Sequence, residues 1–308
     1  YNASGGLDAK VDHFRFGAQS AGRFKQKFLH YDGFWDPARR EGPLMVYFGN
    51  EGAIEDFYNA SGGVFEVAQE LGAMAVFVEH RYYGSTLPFG NASFSSSNLA
   101  FLTVEQALAD MADFLTAAPS IFGCAEPSGP RDPCPPCQAV LFGGSYGGML
   151  AAWFRLKYPH LSKGAIAASA PVDTYLGEDR ASQFRNATFH VFRRYGGDDG
   201  ECAALLDTAL ALIPGLSSSA AGLRNLTEGL RTCSAMRDAI DARRAQFYAL
   251  GSLATLAMLD YPYPADFVVP LPANPVQAAC DAAKAAATSS ALDALNAAIN
   301  IFVNATGK

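Results

Sequence analysis

Gly143-Gly144-Ser145-Tyr146-Gly147 has the G-x-S-x-G spacing in which a serine sits on a sharp turn between a strand and a helix. A serine held that way can attack a carbonyl carbon. The main-chain N–H of the next residue, Tyr146, can then donate to the oxyanion that forms, and such a donor is worth roughly 3 to 4 kcal/mol in the transition state. With 29 glycines in the chain the five-residue pattern alone is weak, so the setting decides. Gln138 to Phe142 (QAVLF) is a short apolar, β-rich run directly before the motif, and Tyr146 to Tyr158 has helical spacing directly after it. Strand and helix backbones crossing so tightly leave no room for side chains at Gly143 and Gly147. In folds with such an elbow, a second oxyanion donor comes from the loop after an earlier strand. Here that loop is Gly49-Asn50-Glu51-Gly52, with Asn50 the candidate donor.

A serine nucleophile needs a base and an acid to orient it, and on this type of fold they follow in the order Ser, Asp, His. Only His160 and His190 come after Ser145. His160 lies at the far end of the helix that the motif opens, and His190 lies in an Ala- and Leu-rich region without strands, so neither is placed as a base. His13 and His30 precede the serine. His80 does too, but it ends a strand run near the site and is the one histidine of the five that is not set aside.

Cofactor chemistry has no signature in the chain. Cys134-Pro-Pro-Cys137 has the spacing of a redox or zinc half-site, but a second Cys/His pair at metal spacing is missing and the surroundings are Pro-rich. Structural disulfides are the reading, and six cysteines (Cys124, Cys134, Cys137, Cys202, Cys233, Cys280) permit three of them. Sequons stand at Asn2, Asn59, Asn91, Asn186, Asn225 and Asn304, whereas eleven asparagines would give roughly one by chance. Both features point to the secretory pathway and to N-linked glycans at those asparagines. A net charge of −7 gives no electrostatic reason to bind nucleic acid or an anionic membrane. The longest apolar stretch, Ala139 to Phe154, is interrupted by Ser145 and four glycines, so no membrane span is expected.

The elements that must position Ser145 can be read from the runs around it. Val11 to Phe16 and Phe24 to Leu29 alternate apolar and polar residues, predicting an antiparallel edge hairpin. Pro43 to Gly49, Ala73 to Glu79, Gln138 to Phe142 and Lys163 to Ser169 are short apolar runs of the kind buried on both faces of a parallel sheet. Between them come helical segments: Gly63 to Leu71, a helix opening at Thr103 with the capping-box pair Thr103 and Gln106, and Tyr146 to Tyr158. Alternating strands and helices predict a doubly wound α/β sheet over residues 1–175. Residues 176–308 turn Ala- and Leu-rich at helical spacing, with loops at Ser217 to Ser219 and Tyr261 to Pro275, and predict a helical cap or insertion.

The blocks YFGNEG (Tyr47 to Gly52), EHRYYGSTLPFG (Glu79 to Gly90), LTVEQALAD (Leu102 to Asp110), FGGSYGGMLAAWFRLKYPHL (Phe142 to Leu161), ASAPV (Ala168 to Val172) and MLDYPYPADFVVPLPANPV (Met258 to Val276) together resemble the lysosomal Pro-Xaa carboxypeptidase and dipeptidyl-peptidase II family of serine peptidases. The resemblance runs over nearly the whole chain. It implies an α/β-hydrolase fold and a secreted or lysosomal exopeptidase that cleaves next to proline or another small residue. Ser145 would be the nucleophile and Tyr146 an oxyanion donor. Met149 would line a small S1 pocket, with Glu51 and His80-Arg81-Tyr82-Tyr83 shaping the site wall. No cofactor or metal is implied. In that family the acid and histidine lie beyond the helical insertion, and this chain stops inside or just after it. The triad is therefore expected to be completed by a C-terminal part not among these 308 residues, or by an associated chain; a homodimer is also open. The other class of reading is a catalytically inactive, glycosylated pseudopeptidase that serves as a structural or binding component of an extracellular assembly. Carboxypeptidase and dipeptidyl aminopeptidase are not separated by the residues.

Overall fold

The computed structural model describes residues 1, 3–15, 22–36, 42–125, 137–173, 180–197 and 199–307. They divide into two compact units, Tyr1–Val172 and Asp173–Lys308.

The first unit is a six-stranded sheet with helices on both faces. In chain order come β1 (Ala3–Lys10), β2 (Arg23–Tyr31), β3 (Leu44–Phe48), α1 (Ile54–Ala60), α2 (Gly62–Leu71), β4 (Met74–Val78), α3 (Val104–Phe122), β5 (Ala139–Gly144), α4 (Ser145–Lys157) and β6 (Gly164–Ala168). The spatial order is β1-β2-β4-β3-β5-β6. Strands β4, β3, β5 and β6 run parallel, and β2 and β1 are added antiparallel at one edge. Every residue of β3 and β4 is buried, as their unbroken apolar runs require of strands covered on both faces. Alternation sorts their side chains. Leu44, Val46, Phe48, Met74, Val76 and Val78 pack with Phe114 of α3 and Phe154 of α4, while Met45, Tyr47, Ala75 and Phe77 pack with Val64 and Ala68 of α2.

Two local expectations need correction. The edge hairpin is real, but its first strand is Ala3–Lys10, not Val11 to Phe16; Val11 to Arg15 form no strand, and Phe16 is outside the described residues. Two glycines make β1 a poor strand on propensity, yet Gly5 is needed: a Cβ there would sit 2.2 Å from Cζ of Phe28 across the ladder. The capping box at α3 is only half formed. Thr103 Oγ1 accepts from the Gln106 N–H at 3.3 Å, but the Gln106 side chain turns away. Its amide donates to Asp12 and its carbonyl accepts from the His13 N–H, pinning the segment after β1.

The second unit is helical: α5 (Arg180–Tyr195), α6 (Glu201–Leu216), α7 (Ala220–Gly229), α8 (Ala239–Met258), α9 (Pro275–Ala286) and α10 (Ala291–Val303), with a two-residue antiparallel pair, β7 (Ala265–Asp266) and β8 (Pro270–Leu271), that its composition does not announce. Ser219, Asp238 and Ser290 cap α7, α8 and α10 with their side chains. One core gathers Phe192, Leu206, Leu226, Leu253, Val276 and Leu295.

Cys202 of α6 bonds to Cys280 of α9 inside that core, and Cys124 bonds to Cys137 in the first unit. Cys137 therefore pairs across the loop and not with its CPPC neighbour Cys134, which lies outside the described residues. Cys233 is a free, exposed thiol. The Cys202–Cys280 link spans 78 positions, so on loop entropy it restrains the unfolded chain by about 4.5 kcal/mol. Replacing both cysteines with alanine is expected to lower the denaturant midpoint of the second unit accordingly, with helix content retained, as read by circular dichroism.

Candidate active site

Ser145 is the first residue of α4, directly after the last residue of β5. Its φ is 52°, a left-handed conformation that a residue with a side chain adopts only under constraint, and it is exposed. The constraint comes from close packing at three glycines. A Cβ on Gly143 would meet the Gly147 carbonyl oxygen at 2.1 Å; one on Gly148 would meet the Gly143 oxygen at 2.8 Å. A Cβ on Gly147 would meet the Phe48 oxygen at 2.5 Å and Asn50 Oδ1 at 2.6 Å. Gly143 thus lets strand and helix cross, as expected, while Gly147 lets the helix approach the end of β3.

The loop after β3 is tied to this turn by side chains. Asn50 Nδ2 donates to the Gly144 carbonyl at 2.7 Å, and Asn50 Oδ1 accepts from the Tyr47 hydroxyl at 2.9 Å. The Asn50 side chain is therefore a clamp, and any oxyanion role of this residue falls to its main chain. Glu51 next to it is exposed. Burial, and secondarily the Glu51 charge, raise the Tyr83 phenol above its ordinary value. Met149, one turn into α4, is buried.

Three successive polar residues at the end of β4 are buried. Glu79 accepts from the Ile54 N–H at 3.1 Å, from the Ser85 N–H at 3.0 Å and from Thr86 Oγ1 at 2.6 Å, so one carboxylate secures both the start of α1 and the turn after β4. Arg81 forms a two-pronged pair with Asp110 of α3, at 2.6 and 2.7 Å, and donates to the carbonyls of Lys10, Val11 and Phe101. His13 Nε2 lies 2.7 Å from the same Asp110. Between them His80 lies 3.1 Å from the Tyr146 hydroxyl through Nε2. The roles of Glu79, Asp110 and the Asn50 amide were not singled out from sequence. The available signal was a glutamate closing an otherwise apolar run, AMAVFVE, where a charge must find donors.

Among the described residues no histidine bonds to Ser145. His13 is engaged with Asp110, and His30 packs against Phe28 and Phe122. His160 lies beyond the opposite end of α4 from the serine, and His190 is exposed on α5. No group of described residues could hold a metal ion, and no described helix is long and apolar enough to cross a membrane. The sequon asparagines Asn59, Asn91, Asn186, Asn225 and Asn304 are all exposed; Asn2 is outside the described residues.

Two outcomes follow from this geometry. Gly147→Ala should cut activity at least about 100-fold, because its methyl must displace either the β3 carbonyl or the Asn50 clamp, and small displacements of reacting groups have effects of that size; steady-state kinetics on folded variant reads this. Burial lowers the His80 pKa to about 4. The unfolded chain takes up that proton near 6.5 and the folded one near 4, so stability should fall as pH drops from about 6.5 to about 4, by on the order of 3 kcal/mol. His80→Gln should flatten that part of the slope in denaturant titrations at pH 7, 5.5 and 4.5. His30, also lowered by burial, is present in both proteins and does not affect the difference.

Comparison with known proteins bears out the family resemblance of the sequence blocks. The family model for serine carboxypeptidase S28 matches residues 9–308. The lysosomal Pro-X carboxypeptidase of Homo sapiens is 39% identical over 302 residues, covering 97% of this chain and 58% of that protein. The putative serine protease pcp-1 of Caenorhabditis elegans is 38% identical over 304 residues, covering 96% of this chain and 52% of that protein. The chain thus spans between half and three-fifths of the length of these relatives. With a mostly parallel sheet, a serine at its strand-to-helix elbow and a match along almost its entire length, the chain belongs to the serine carboxypeptidase S28 family, on an α/β-hydrolase fold.

Proposed function

We propose that this chain is the nucleophile-bearing part of a serine exopeptidase that cleaves peptides next to proline or another small residue, working in an acidic secretory or lysosomal compartment. The observation that carries the reading is Ser145 itself, exposed at φ 52° on a turn whose flanking glycines have no room for side chains. In the reaction Ser145 Oγ attacks the scissile carbonyl while a base takes its proton, and the Tyr146 N–H at the start of α4 donates to the oxyanion with a main-chain amide of the Asn50 loop. Collapse of the intermediate expels the amine, which takes up the proton, and water then releases the acyl group. Met149 would line the S1 pocket and Glu51 the substrate-facing wall. The acid and the base would come from outside these 308 residues, since none of the described histidines bonds to Ser145. Residues 176–308 would form a helical cap or insertion domain, carrying glycans, like the first unit, at their exposed sequons.

The name of the human relative, a lysosomal Pro-X carboxypeptidase, supports the preference for proline and the compartment. The competing reading, an inactive glycosylated pseudopeptidase, draws on the lack of a described base near Ser145, but it gives the strained turn nothing to do. A fluorophosphonate probe applied at mildly acidic pH to the protein isolated from its natural source separates the two. Labelling at Ser145, lost in Ser145→Ala, is the expected result; an unlabelled, folded protein would favour the pseudopeptidase. Proline-containing peptides blocked at one end or the other would then separate carboxypeptidase from dipeptidyl peptidase.

A further inference from the structure

Residues 143–148 contain four glycines, and the side chain of Ser145 must stay free to react. Tyr146 is therefore the one side chain of this stretch by which the surrounding protein can grip the turn. Its phenol is held. His80 Nδ1 lies 2.6 Å from the Arg81 carbonyl. A carbonyl oxygen only accepts, so Nδ1 carries the proton and Nε2 of the neutral ring is the acceptor. The Tyr146 hydroxyl, 3.1 Å from Nε2, is the donor, and the two rings pack with centroids 5.4 Å apart. His80 is 5% exposed, and Arg81 beside it is locked by Asp110 and three carbonyls. The grip on Tyr146 thus extends to α3 through buried groups whose hydrogen bonds are accounted for.

We infer that His80 is a positioning residue for acyl transfer: by accepting the hydrogen bond of the Tyr146 phenol it holds in place the residue whose main-chain N–H serves the oxyanion. This rests on the assignment of Ser145 as nucleophile. A glycine-rich turn has wide conformational freedom, and a donor helps the transition state only if it is already in place. The charged and titratable groups around His80 are Arg81, Asp110 of α3, Tyr83 and Tyr146 of α4. With burial dominating over these neighbours, the ring stays neutral, and so an acceptor, through the mildly acidic range.

The test compares Tyr146→Phe, His80→Phe, the double variant and His80→Gln in the protein isolated as above, with kcat referred to sites titrated by fluorophosphonate and with thermal unfolding followed in parallel. Tyr146→Phe and His80→Phe should each lower kcat about 10- to 100-fold, with KM within about twofold. The double variant should be no worse than either single change, and His80→Gln, whose carbonyl can accept from the phenol, should keep kcat within about threefold of wild type. Losses that multiply in the double variant, or that fall on KM or unfolding temperature while kcat per titrated site is unchanged, would overturn the inference. Tyr146→Phe conserves shape, so it decides the matter even if the His80 variants do not fold. A wild-type protein that the probe does not label overturns the nucleophile assignment and this inference together. A labelled wild type whose Tyr146→Phe variant keeps full kcat overturns this inference alone.

Discussion

The first turn of α4 lies directly on the end of β3, with the Phe48 carbonyl and the Asn50 amide filling the space where Gly147 would otherwise carry a side chain. The rest of the site depends on that contact. It brings the helix N-terminus, the end of β5 and the loop after β3 to one point, and it leaves the backbone at Ser145 a left-handed turn as its solution. Asn50 then joins the two loops by donating to Gly144 and accepting from Tyr47. The turn that carries Ser145 and the loop after β3 are thereby held together as one unit.

Behind this contact the end of β4 supplies a polar layer inside an apolar sheet. Burying Glu79, His80 and Arg81 is tolerable only because each has its partners: the carboxylate has main-chain and hydroxyl donors, the imidazole has one donor and one acceptor, and the guanidinium has a carboxylate and three carbonyls. A network satisfied this fully resists rearrangement, because any member displaced leaves another unpaired in low dielectric. The layer binds elements far apart in the chain: Lys10 at the end of β1 with Val11 after it, Phe101, and α3 through Asp110.

The second unit follows a different logic. Its helices have little propensity problem, with side-chain caps at three N-termini and a core of leucine, phenylalanine and alanine, and the Cys202–Cys280 bond links α6 to α9 in the middle of that core. Among its described residues no charged group or histidine is buried as in the polar layer of the first unit. Stability there comes from packing and cross-linking.

The order of strands and helices, the two-sided burial of β3 and β4, and the serine at the junction of β5 and α4 were legible in the chain itself, because each depends on residues close in sequence: an apolar run, a glycine pair, a cap. The position of β1 was not, because its two glycines have low strand propensity and only the Phe28 ring across the ladder gives Gly5 a purpose. The half-formed capping box at Gln106 failed in the same way, when a segment about ninety residues earlier competed for the side chain. The bond from Asn50 to Gly144, the bond from the Ile54 N–H to Glu79 and the bond from Tyr146 to His80 join positions from 25 to 94 residues apart. Sequence alone determined that a serine would stand on a sharp turn in an α/β sheet. Only the tertiary structure decided what grips that turn, since hydrogen bonds between distant segments exist once packing has excluded water and leave no periodicity behind them.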